Sequence, residues 1–217
     1  MKGLFIKDFK LMKMQRNFFF VIIAISVGMA LFSDDSSFVI GFFPFVLSLF
    51  TLSTISYDEF DNGNAFLFTL PVSRTDYVVE KYGLALLLGG GAWVLAMIFS
   101  AVSGIWKGTA AVLDITMSAL MILPALIALQ AVMIPFQLKF GGEKGRIALL
   151  GALGGLCMLG IAAAKAAQMF GIPIEDMIDR LPIVSMGVMA AALIAGAAIL
   201  LLVSMKISIR IMKNKEL

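Results

Sequence analysis

The chain contains no histidine and a single cysteine, Cys157. Without histidine there is no His-ligated metal or haem, no H-E-x-x-H zinc motif and no histidine-based triad. One cysteine excludes an intrachain disulfide and a Cys-cluster zinc site. Charge is scarce as well. Of 217 residues 14% are charged and 61% hydrophobic, whereas soluble domains carry about 25% charged residues. So few charges cannot coat a water-facing surface, which places the chain in the membrane class. "GGEKGR" at 141–146 misses the G-x-x-x-x-G-K-[ST] frame of a phosphate loop and reads as a turn. The chain is therefore expected not to be an enzyme, to hold no cofactor of its own, and to have no nucleic-acid partner.

What is present is apolar sequence in six runs, at 18–32, 38–56, 83–106, 115–136, 147–164 and 183–205. A spanning helix needs about 20 residues, with a range of about 17–25. The first run is short, and Lys13 and Arg16 can snorkel to lengthen it. No A-x-A site follows it, so it is expected to be a mature span and not a cleaved signal. Strands of a membrane barrel alternate over about ten residues, which these runs do not. Of the seventeen Lys and Arg, fourteen fall on the side holding both termini and three on the other. The positive-inside rule then makes both termini cytoplasmic. The expected fold is an all-α integral membrane protein, one domain over 1–217 with six transmembrane helices.

The connections carry the detail. Residues 1–17 read as an amphipathic interfacial helix with Phe5, Phe9 and Met12 on one stripe, or as a plain basic flank. Small residues (Gly89 to Gly91, Gly151 and Gly155, and Gly187, Ala191 and Ala195) suit close helix packing, within the chain or at a dimer seam. Pro124 and Pro135 point to a kink in the fourth span. An external amphipathic turn is expected over 165–182. The spans hold few ionisable residues, which disfavours ion-coupled transport and suits apolar or amphipathic substrates. Gln130 is the clearest polar residue in a span, either a helix–helix hydrogen bond or a contact on a substrate path.

Residues 57–82 form the most specific feature. Asp58, Glu59, Asp61, Asp76 and Glu80 surround the apolar knot "AFLFTLPV". Asp61, Asn62 and Asn64 can cap a short helix over 65–70, Pro71 stops it, and Ser73-x-x-Asp76 caps the third span. Phe66, Leu67 and Leu70 are expected to enter a groove on a soluble partner, with Asp58, Glu59 and Arg74 pairing at its rim. The competing reading lays the short helix back on the bilayer, against which its acidic flanks argue, because the inner leaflet is negative.

"YDE" at 57–59, "LPVSR" at 70–74 and "DYVVEKY" at 76–82 closely resemble the ABC-2 type permeases, the type-2 ABC exporters of Gram-positive bacteria. In size and general character the chain is most similar to those exporting phenol-soluble modulins or antimicrobial peptides. The resemblance implies a multi-pass permease in the bacterial plasma membrane, with ATP and Mg on a separate ATPase subunit. It implies a second permease copy, identical or paralogous. Residues 64–74 would be the coupling helix on that ATPase, with Leu70, Pro71, Val72, Ser73 and Arg74 in its motif. Residues 2–16 would be the interfacial connector helix, and 165–182 the hairpin between spans five and six. That hairpin is shorter than in polysaccharide exporters, which argues against a large glycan. A non-transport scaffold, or an assembly or sensor partner, is the alternative reading.

Overall fold

The computed structural model describes residues 2–32, 37–60, 63–108, 112–142 and 185–215, with isolated positions between 144 and 165. The expected fifth span at 147–164 (those isolated positions apart), the external turn after Lys165, Cys157, and the capping residues Asp61 and Asn62 lie outside the described residues. All described elements are helices: α1 Lys2–Met14, α2 Arg16–Phe32, α3 Ser37–Glu59, α4 Gly63–Leu67, α5 Arg74–Lys107, α6 Val112–Phe140 and α7 Met186–Asn214.

Four of these helices are long and apolar enough to cross a membrane: α3 from Phe38, α5, α6 and α7. They contain the runs expected at 38–56, 83–106 and 115–136, and the part of the 183–205 run from Met186 onward. Helices α1 and α2 meet at a 69° bend and qualify as a span only as a bent pair. The described residues therefore hold four candidate spans, or five with that pair.

Helix α5 has 34 residues. At about 1.5 Å per residue it is about 50 Å long, against a hydrocarbon core of about 30 Å. It is longer than the hydrocarbon core by about 20 Å, and its first turns carry the polar residues Asp76, Glu80 and Lys81. Its start is fixed as the sequence indicated: Ser73 is extended (φ −78°, ψ 150°) and its hydroxyl accepts from the Asp76 amide at 3.0 Å. Its end is set by Gly108, whose φ of 66° is left-handed and which donates back to the Gly104 and Ile105 carbonyls, a conformation that strains any residue with a Cβ. Helix α6 runs through both Pro124 and Pro135.

The most extensive packing joins α6 to α7 and α3 to α5. Of the glycine triplet, Gly89 makes the close approach: a Cβ there would overlap the Gln130 amide and come within 3.3 Å of Ser48. Gly90 and Gly91 have nothing within 4 Å. A core at the loop end gathers Leu4 of α1, Ile55 of α3, Leu67 of α4, Tyr77 of α5, Leu138 of α6 and Met212 of α7. Six helices thus converge where the loop begins.

Candidate functional site

The loop opens with α3 ending at Glu59 and α4 starting at Gly63. Helix α4 is shorter than the 65–70 segment expected and begins earlier. Single turns carry the winding on: Phe68 donates to Asn64, Thr69 to Phe66 and Leu70 to Leu67. Pro71 then halts it before the Ser73 cap, because proline restricts the residue before it to extended backbone.

The short helix divides its apolar side chains between two directions. Phe66 is 71% exposed and Leu70 46%, while Leu67 is 9% exposed and belongs to the six-helix core. Phe68 follows Leu67 inward and meets Tyr77 edge-on at 5.7 Å, and Val72 packs on the same core. The expectation that Leu67 points toward a partner is corrected: its inward neighbours use it to hold the loop down. Phe60, 72% exposed, adds an outward aromatic that the sequence reading did not single out.

All three residues expected at a charged rim, Asp58, Glu59 and Arg74, are engaged within the chain. Asp58 accepts from Lys7 on one oxygen, and from the Tyr77 hydroxyl at 3.1 Å and Lys81 at 3.0 Å on the other. Lys81 is fully buried and also reaches Asp8 at 2.5 Å and the Thr54 hydroxyl at 3.0 Å. Lys7 lies 3.2 Å from Asp8, and Glu80 3.6 Å from Lys81. Glu59 pairs with Lys215 at 2.6 Å. Arg74 donates to the carbonyls of Met212, Lys213 and Lys215. A buried ion pair adds little net stability, yet removing one member of it costs about 3–5 kcal/mol. This network therefore fixes geometry: α1, α3 and α5 are bound together at one point.

Asp8, Lys7, Lys81, Tyr77 and Lys215 were not singled out from the sequence. Two signals were there: Asp8 is the one acid among the five basic residues of 1–17, and Lys81 stands within an acidic stretch. The stripe expected on α1 is also partly displaced. Leu4 and Asp8 are the buried positions of α1, Phe5 and Met12 pack against the cluster of Phe50, Leu84 and Leu88, and Phe9 is 45% exposed.

A cleft of about 440 Å³ where α1, α3 and α4 meet is lined by Leu4, Lys7, Asp58, Phe66, Leu67 and Leu70. Farther along, Gln130 is buried in the seam between α6 and α5, its amide donating to the Ala85 carbonyl at 3.1 Å. No group of His, Cys, Asp and Glu that could hold a metal occurs among the described residues.

The family model for ABC-2 family transporter proteins matches residues 3–213. Neither the curated proteins nor the solved structures give a match.

Proposed function

The chain belongs to the ABC-2 family of transporter proteins, and on that premise we propose that its 57–82 loop is the coupling element through which an ATPase drives export. Family membership makes the chain a multi-pass membrane component of an ABC transporter, not itself catalytic, working with a separate ATPase subunit. The finer reading adds the following. ATP and Mg sit on that subunit. Six spans, 147–164 being the fifth, place both termini in the cytoplasm of a bacterial cell. A second permease copy, identical or paralogous, completes the pathway. The cargo is an amphipathic peptide or a lipid-like molecule, which suits spans poor in fixed charge.

The observation that carries the coupling role is the two-sidedness of α4. Its outer side leaves Phe66 in the open, as the turn that follows leaves Leu70, and its inner side inserts Leu67 beside Tyr77 near the start of α5. A partner gripping the outer side moves the inner side, because Pro71 and the Ser73 cap leave little slack between them. Burying a Phe or Leu side chain stabilises by about 1.5–3 kcal/mol. Phe66→Ala with Leu70→Ala should thus cost about 3–6 kcal/mol, or about two to four decades of docking affinity. The test is purification in mild detergent. The wild-type chain should bring an ATPase with it and the double variant should not. A double variant that inserts normally and keeps its ATPase contradicts the assignment.

A further inference from the structure

Arg74 belongs to the loop by sequence, but its guanidinium is spent on the far end of the chain. Nη1 lies 3.0 Å from the Met212 carbonyl, 2.8 Å from that of Lys213 and 2.9 Å from that of Lys215. The last carbonyls of a helix lack partners of their own and carry partial negative charge. Helices commonly close on a left-handed glycine. Helix α7 does not: its C-cap, Lys215, is extended (φ −74°, ψ 120°). Arg74 supplies from 138 residues away the cap that α7 does not make locally. The guanidinium also lies over the Phe68 ring, 5.8 Å from its centroid, which holds it against the loop.

Two further ties fasten the same end. Lys215 donates to Glu59 at 2.6 Å and to the Leu138 carbonyl at 3.0 Å. Two and three turns back, the Tyr82 hydroxyl meets Ser208 at 2.8 Å and Ser204 at 2.6 Å. Met212 is buried in the shared core.

We infer that Arg74 is a positioning residue that clamps the C-terminal end of α7 to the coupling loop, so that displacement of the loop moves α7 together with α5. This rests on the loop being the driven element, and the experiment separates the two. The permease–ATPase complex is placed in nanodiscs with Cys157 replaced by Ser. Spin labels go on Val21→Cys in α2 and Arg210→Cys in α7, both exposed positions. The distance between them should shift when a non-hydrolysable ATP analogue is added. In Arg74→Ala the ATPase should stay bound while the shift is lost, and Arg74→Lys should restore it. A full shift in Arg74→Ala overturns the inference, as does no shift in the wild-type complex. Loss of the ATPase from Arg74→Ala alone also overturns it, by making Arg74 a docking residue. The permease without its ATPase provides a second arm, independent of docking. Amide exchange over 209–214 should quicken by about tenfold in Arg74→Ala, as expected for loss of a charge-assisted hydrogen bond, and not in Arg74→Lys. Unchanged exchange there contradicts the clamp.

Discussion

At the loop end, α1, α3, α5, α6 and α7 are cross-tied by polar groups: Lys81 to Asp8 and Asp58, Arg74 and Tyr82 to α7, and Gln137 of α6 to Ser56 of α3 at 2.7 Å. At the other end the described contacts are largely apolar. Ile40, Ile115 and Ala119 meet with Trp93 and Met97 around them, and the Trp93 indole donates to the Ala119 carbonyl at 2.9 Å. The difference is in the cost of parting. Depriving a buried, hydrogen-bonded charge of its partner costs about 3–5 kcal/mol, whereas apolar surfaces part at smaller cost where lipid is an equally good solvent for them. A mover attached to the tied end shifts several helices as a unit and leaves the apolar end free to part.

Substitutions can break that contrast. The largest effect on stability is expected from Lys81→Met, which leaves Asp8 and Asp58 buried beside each other with one cation fewer. The cost should be about 3–5 kcal/mol, seen as a lowered thermal midpoint in detergent, and Asp8→Asn added to it should recover part of the loss. Tyr82→Phe comes next. It strips two buried serine hydroxyls of a partner while Ser204 keeps its bond to the Ala131 carbonyl, so about 1–3 kcal/mol is expected. Smallest is Trp93→Phe at the apolar end, whose lost hydrogen bond is worth about 0.5–1.5 kcal/mol. It should leave ATPase retention in the pull-down unchanged. Equal losses from Lys81→Met and Trp93→Phe erase the contrast.

Much of this was legible because it is local. The Ser73–Asp76 cap needs only four consecutive residues, and apolar runs announce the long helices wherever they pack. The site itself was only half legible. That α4 exists follows from its flanking turn residues, but which of its side chains turns inward depends on Tyr77, a residue of the next helix. Asp8 reads as a solvated charge on a lysine-rich helix until Lys81 is brought to it across 73 residues. Arg74 likewise reads as a rim charge, because nothing near it in sequence reveals the helix end it caps.

The outer side of α4 should meet the ATPase and the opposite end of the molecule should not. A photo-reactive amino acid placed at Phe66 tests it in intact cells, with Leu113 at the start of α6, 65% exposed, as the counterpart at the other end. An ATPase adduct is expected from position 66 and none from position 113. An ATPase adduct from position 113, or none from position 66 while both proteins are present in the membrane, contradicts the account.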